Sequence, residues 1–182
     1  DRFDASIPIV KEFRNISEPK YLMFEVLAER TLAIAQQYRI KNPDEGYSPF
    51  LDSYITPIID DCLQHNIKII SNIGAANPLG AAKKILEIAK EKKTRKPKIG
   101  VVVGDDLLEY MTNKEILESP TMEGLDFSNN QITAANVYLG AKPIAEALSK
   151  EADIVVVGRT VDSALALGPL IYEYNWKNED LD

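Results

Sequence analysis

The chain of 182 residues contains a single cysteine and a single histidine. One cysteine excludes an internal disulfide, and Cys62 lies on the apolar face of a helical pattern, which indicates a buried thiol rather than a nucleophile. The lone histidine, His65, argues against a zinc site. The sequence also contains no metal or nucleotide motif of strong specificity, so it leaves the cofactor unknown and predicts no metal ligands.

Long apolar runs and a basic surface are lacking as well. The apolar runs are too short to cross a bilayer, and the charged amino-terminal residues do not resemble a signal peptide. Lysine and arginine number 21 against 28 acidic residues, and the net charge of −7 argues against nucleic-acid binding. The one basic run, Lys90 to Lys98, is interpreted as a solvated connector. We therefore expect a cytosolic protein with no nucleic-acid or membrane partner.

Four short segments, each nearly continuous in apolar residues, predict the buried strands of a parallel sheet. They are Tyr21–Glu25, Ile67–Ser71, Ile99–Val103 and Ile154–Val157. Apolar stripes at helical spacing separate them, which predicts an α/β fold with three αβα layers and a mostly parallel, doubly wound, Rossmann-like sheet. The segment Ile132–Leu139 is compatible with a strand or a loop, and Ser119–Gln131 is the longest predicted loop.

The helical stripes indicate where the chain returns across the sheet. Their apolar positions fall within residues 28–38, 51–62, 82–89, 144–148 and 167–174. Pro57 and Pro169 lie inside two of these stripes, so each should kink its helix or mark a first turn. The length suits one hydrophobic core, and we expect a single α/β domain over residues 1–182.

Small and polar residues follow the second predicted strand. Ligands of open α/β sheets bind beyond the carboxyl ends of the strands, so Asn72, Gly74, Ala75 and Asn77 are candidate substrate contacts. The small side chains would let a ligand approach the backbone, and a following helix would offer free N–H groups to an anion. A tight turn in which Asn77 caps a helix that starts at Pro78 explains the same residues. The two interpretations are compatible.

Three carboxylates at strand ends are the catalytic candidates: Glu25, Asp105 and Asp106. The Asp105–Asp106 pair suits a general base or a divalent metal. The alternative is that an aspartate caps a helix starting at Leu107, where negative charge is favourable. One aspartate can cap while the other faces the pocket.

Charged and amide groups at the remaining strand ends complete the candidate substrate site. Arg159 follows the fourth strand and can clamp a carboxylate or phosphate, with Asp162 orienting it or capping the next helix. Arg30 is predicted to pair with Glu25, in a position that lines a pocket because buried charges are costly. Asn136 offers a neutral group to a carbonyl oxygen or thioester.

Six strings occur in order along the chain. They are DRFD (1–4), FEVLAERT (24–31), NIGAANP (72–78), GDD (104–106), ANVYLGA (135–141) and GRTVD (158–162). Together they resemble the amino-terminal region of the acyclic terpene utilisation family of AtuA-like proteins, and the resemblance covers essentially the whole chain. Family members usually carry a glycine-rich strand and loop before the first string and continue well past Asp182. We therefore expect this chain to be a fragment of a longer AtuA-like protein.

The resemblance implies breakdown of acyclic terpenes and related branched acyl-CoA compounds, and hence an acyl or CoA-linked substrate. An enzyme, such as a lyase or hydro-lyase, would use Asp105 or Asp106 to move a proton and Arg159 to hold a carboxylate. The turn at residues 72–77 would take a phosphate or thioester. The alternative is a non-catalytic binding or assembly subunit, in a homo-oligomer or a larger complex, because no established catalytic motif is present.

Overall fold

The computed structural model describes residues 2–121, 124 and 132–180 of the chain. A four-stranded parallel sheet forms its centre, with the strands in the order β1-β2-β4-β3. The strands are β1 (Lys20–Phe24), β2 (Ile67–Ser71), β3 (Ile99–Val102) and β4 (Ile154–Val157). All four predicted strands are confirmed, and only β1 and β3 differ from their predicted bounds, by one residue.

Eight α-helices lie in the described residues. They are α1 (Ser6–Phe13), α2 (Glu29–Lys41), α3 (Leu51–Ile55), α4 (Ile59–Gln64), α5 (Pro78–Glu91), α6 (Asn113–Leu117), α7 (Lys142–Ser149) and α8 (Ala164–Tyr174). The predicted stripe over residues 51–62 divides into α3 and α4 at the turn that contains Pro57, whereas Pro169 lies inside α8 rather than in its first turn. Helix α1 was not predicted, and the helix expected to start at Leu107 is a short 3-10 helix (Leu107–Glu109) followed by α6.

Helices cover both faces of the sheet, which confirms the three-layer αβα fold. Helices α1, α3, α4 and α5 pack on one face, where Ile69 and Ile154 point, and α7 and α8 pack on the other, where Ile70 and Val155 point. Neighbouring residues of β2 and β4 thus enter opposite core clusters, which explains why these strands are apolar without alternation. Truncating such a fully buried isoleucine to alanine typically costs about 2–5 kcal/mol.

The connections after β2 and β4 run to opposite faces of the sheet, although these strands are neighbours. Helix α5 follows β2 on one face and α8 follows β4 on the other. This reversal opens a crevice at the carboxyl ends of the strands, which is where open α/β sheets bind ligands. The segments at residues 72–77 and 158–163 border the crevice.

The segment at residues 132–140 passes across this end of the sheet as a loop. It makes isolated bridges at Asn136, which pairs with Asp106, and at Leu139, which pairs with Thr160. Of the predicted loop before it, residues 122, 123 and 125–131 lie outside the described residues. Within the described ranges, every helix is too short or too polar to cross a membrane.

Candidate binding site at the carboxyl ends of the strands

Asn72 joins the ends of β1 and β2. It is fully buried, its Oδ1 accepts a hydrogen bond from the Val26 N–H (2.8 Å), and its Nδ2 donates to Glu25 Oε1 (3.1 Å). The Leu27 N–H also donates to Glu25 Oε1 (3.1 Å). The Glu25 carboxylate is therefore held through one oxygen. The predicted Glu25–Arg30 ion pair is wrong, because Arg30 is exposed on the first turn of α2 and contacts no described polar group.

A cavity of about 630 Å³ lies beside Glu25 and Asn72; we call it the apolar cavity. Its wall is mostly hydrocarbon and aromatic, contributed by residues that include Leu27, Ile34, Tyr38, Phe50 and Tyr54. Ligand pockets typically enclose about 300–1,000 Å³ and combine apolar walls with a few placed polar groups. The apolar cavity has these properties, with Glu25 and Asn72 as polar groups of its wall.

The turn at residues 72–77 is a helix-capping turn. Asn77 Oδ1 accepts from the Gly80 N–H (2.9 Å), and Pro78 is the first residue of α5. Asn77 Nδ2 donates to the carbonyls of Pro43 (3.0 Å) and Glu45 (2.7 Å). The predicted cap is confirmed, and these contacts use both ends of the Asn77 amide. Of the four residues predicted here as substrate contacts, only Asn72 and Ala75 line the apolar cavity.

Gly74 is small because the backbone of β4 passes close to it. A Cβ atom at Gly74 would lie 2.6 Å from the Val157 carbonyl oxygen, a distance that real contacts do not reach. Ala75 follows with a left-handed backbone (φ 44°), which tightens the turn. The small residues therefore permit close packing of the β2 exit against β4.

Asp105 is a buried carboxylate that holds two neighbouring segments. Its Oδ2 accepts from the Arg159 backbone N–H (2.8 Å) and from Asn136 Nδ2 (2.9 Å), and the residue is 4% exposed. Burial raises the pKa of Asp105, although these hydrogen bonds oppose the rise. Asp105 thus fastens the β4 exit and the loop at residues 132–140 to the end of β3.

Asp106 confirms the capping interpretation. Its Oδ1 accepts from the Leu108 N–H (3.0 Å) at the start of a short 3-10 helix, and its Oδ2 accepts from Arg39 Nη1 (3.2 Å). A second cavity, of about 120 Å³, lies between Arg39, Asp105, Asp106 and Asn136. Its volume suits a few water molecules rather than an acyl chain.

Arg159 is 4% exposed and lines neither of the two cavities. Its Nη1 donates to the Leu27 carbonyl, its Nη2 lies 3.2 Å from Glu29 Oε1, and Asp162 is 3.6 Å away. The Tyr138 ring covers the guanidinium at 4.0 Å from its centroid. The Arg159 Nε–H has no hydrogen-bond acceptor among the described residues. In this conformation the guanidinium ties the start of α2 to the exit of β4.

The residues predicted to converge form two groups. Glu25 and Asn72 meet at the apolar cavity, whereas Asp105, Asp106 and Asn136 meet at the small cavity. Glu29 pairs with Arg159 and Arg39 pairs with Asp106, and neither Glu29 nor Arg39 was among the predicted site residues. Both residues lie on the helix after the first strand, and charged residues on a helix are usually solvated, so the sequence pattern provided little indication that they belong to the site. No group of three or more histidine, cysteine, aspartate or glutamate side chains in the described ranges could hold a metal ion.

A sequence model described as "Acyclic terpene utilisation family protein AtuA" matches residues 1–182. The chain belongs to the AtuA family. This confirms the resemblance, and membership in the family supports a role in acyclic terpene utilisation. Searches of curated proteins and of solved structures found no match.

The strings that carry the AtuA resemblance are concentrated at one end of the sheet. Residues 24–31, 72–78, 104–106 and 158–162 follow β1, β2, β3 and β4, and residues 135–141 cross the same end. This is the ligand-binding end of an open α/β sheet. The recognisable AtuA residues in this chain therefore surround the crevice and its two cavities.

Proposed function

We propose that this AtuA family member is an enzyme that binds the methyl-branched chain of an acyl or CoA-linked substrate in the apolar cavity. The observation that carries the proposal is the cavity itself, with about 630 Å³ of space and a wall that includes Glu25 and Asn72. Acyclic terpenes are methyl-branched hydrocarbons, so family membership and the chemistry of the wall favour the same ligand class.

Glu25 is the best-placed catalytic group in this proposal. Its Oε1 is oriented by the Leu27 N–H and by Asn72, while its Oε2 makes no hydrogen bond to a described residue. A carboxylate fixed through one oxygen can take a proton from a substrate with the other. Asp105 and Asp106 remain predicted site residues, but their contacts favour a supporting role in holding the crevice together.

The first test measures binding by calorimetry with methyl-branched acyl-CoAs of increasing chain length. Each buried methylene contributes about 0.8 kcal/mol, so affinity should rise with length until the cavity is full. Ile34→Glu places a charge in the cavity wall and should weaken binding at least tenfold. Ile40→Glu is the matched control, because Ile40 lies on the same helix, is 65% exposed and is not in the wall. Equal affinities for both variants and the unmodified chain would contradict the proposal.

The second test separates catalysis from binding. Glu25→Gln keeps an oxygen that can accept the Leu27 and Asn72 hydrogen bonds but removes the base. General acid–base groups contribute about 10²–10⁴-fold, so turnover of a bound acyl-CoA should fall by that factor with little change in affinity. Unchanged turnover in this variant would exclude Glu25 as the base.

A non-catalytic binding subunit is the second candidate function. It is favoured by the contacts of Asp105, Asp106, Asn77 and Arg159, which are all engaged in holding the end of the sheet together. Both candidates require the apolar cavity to bind the acyl chain. Tight binding without turnover, in the unmodified chain and in its native assembly, would select the binding subunit.

The same proposal includes a cytosolic location and a small acyl molecule, rather than a nucleic acid or a membrane, as the ligand. The net charge of −7 and the single buried cysteine support it. Cell fractionation tests the location, and recovery of the protein in a membrane fraction would contradict it.

A further inference from the structure

The outer side of β3 is open. Within the described residues, β3 pairs only with β4, which makes it an edge strand. The Ile154 N–H donates to the Lys98 carbonyl (3.3 Å), so Lys98 directs its carbonyl towards β4. Because backbone groups alternate along a strand, Gly100 and Val102 also face β4, whereas the N–H and C=O groups of Ile99, Val101 and Val103 face outwards.

This edge lacks the features that usually prevent pairing. Residues 99–103 read IGVVV, without charge or proline, and Val103 is 54% exposed. Natural edge strands are commonly protected by lysine, proline or a bulge. An uncharged β-branched edge is a template for another strand.

A groove of about 410 Å³ runs beside β3 and α7. Pro143 and Ala147 of α7 add apolar area to the strand, so an occupant would bury more than a strand pair alone. The charged side chains of the groove are Lys98, Lys150 and Glu146, and two ion pairs balance them: Lys98 with Glu151 (3.4 Å) and Lys150 with Glu146 (2.6 Å).

The charge balance of the groove favours a second copy as the occupant. The chain carries a net charge of −7, so most of its surface repels another copy of itself. The groove and the two ion pairs at its border, in contrast, comprise two lysines and two glutamates. About a two-fold axis, the lysines and glutamates of one copy would face the same set of lysines and glutamates of the other copy.

We propose that β3 pairs antiparallel with β3 of a second copy, about a two-fold axis beside Val101. This register places Val101 opposite Val101 of the second copy and Ile99 opposite its Val103. All three residues face outwards, so the register satisfies their open backbone groups and creates β-branched cross-strand pairs. The dimer then contains one continuous sheet made of two four-stranded halves.

Size-exclusion chromatography with light scattering tests the proposal on the unmodified chain, which should be a dimer. Val103→Lys places a charge in the pairing edge and should give a monomer. Met23→Lys is the matched control, because Met23 is a 44% exposed residue on β1, the opposite edge strand, and should leave the dimer intact. A chain that stays monomeric at millimolar concentration, or one that Met23→Lys dissociates and Val103→Lys does not, would overturn the proposal.

Amide hydrogen exchange provides an independent readout. The Val101 and Val103 amides should be protected in the unmodified chain and exchange much faster in Val103→Lys, while the β2 and β4 amides stay protected in both. Loss of protection throughout the sheet would mean that the variant unfolds. In that case, hydrogen exchange of the unmodified chain is measured at decreasing protein concentration. Protection of the Val101 amide that does not fall as the dimer dissociates would overturn the proposal.

Discussion

The guanidinium of Arg159 lies under the ring of Tyr138, at 4.0 Å from the ring centroid. Glu29 joins both residues, since it accepts a hydrogen bond from the Tyr138 hydroxyl and lies 3.2 Å from Arg159 Nη2. The three side chains come from the β4 exit, the loop at residues 132–140 and the start of α2. The Leu27 carbonyl accepts a hydrogen bond from Arg159 Nη1, and Leu27 is part of the wall of the apolar cavity.

Arg159→Ala should destabilise the fold strongly, because it leaves the Leu27 carbonyl without its Arg159 donor and removes the cation from beneath Tyr138. Leaving a buried hydrogen-bond acceptor without its donor typically costs about 1–3 kcal/mol. Arg14→Ala is the control, since Arg14 pairs with Asp61 at the surface, where such pairs are worth about 0–1 kcal/mol. Urea unfolding measures both. A loss for Arg159→Ala no greater than that for Arg14→Ala would contradict this account.

Asp105 should make stability depend on pH in an unusual direction. Burial raises its pKa, so between the ordinary aspartate pKa of about 3.9 and the higher folded value the folded chain binds more protons than the unfolded chain. The stability that Asp105 contributes therefore falls as pH rises through this window. The amide of the Asp105→Asn variant cannot titrate, so the free energy of unfolding of the unmodified chain minus that of the variant should decrease across the window and then level off. An increase with pH would contradict the raised pKa.

Gly74→Ala should destabilise the protein by about 1–3 kcal/mol, the usual cost of forcing an extra carbon into a packed site. The new Cβ atom would meet the Val157 carbonyl at 2.6 Å, and that backbone is fixed within β4. Gly140→Ala is the control at the same end of the sheet, because no heavy atom lies within 4 Å of its Cβ position. Thermal unfolding of both variants distinguishes them, and equal melting temperatures would contradict the close approach.

Cys62 should be unreactive in the folded protein. It is 1% exposed, and burial raises the pKa of its thiol to about 12, so almost none is thiolate near neutral pH. A thiol reagent should label it slowly in buffer and rapidly in denaturant. Rapid labelling of the folded chain would contradict the burial of α4.

The strands could be predicted because each is buried on both faces and therefore apolar without interruption. Their order could not, because it depends on which face each helix covers. Helix α5 carries the chain past the position of β4 to β3, and α7 then returns it on the other face. Helix α1 was missed although Val10 and neighbouring apolar residues pack into the core.

The sequence predicts where the candidate site lies, but not that its residues separate into two groups at two cavities. The caps at Asn77 and Asp106 follow from local rules, since each residue directly precedes a helix start. Whether Arg159 points into a pocket or beneath Tyr138 depends on contacts between distant segments. Likewise, the pairing of Asn72 rather than Arg30 with Glu25 follows from the adjacency of β1 and β2.

The position of β4 in the sheet has a consequence for folding. Strands β2 and β3 are both joined to β4 and not to each other, although β4 is the last of the four along the chain. During synthesis the sheet cannot be completed until residues 154–157 leave the ribosome, and until then the position between β2 and β3 is empty. A nascent chain that stalls before this point exposes two unpaired edges and half a core, which makes it a substrate for chaperones and proteases.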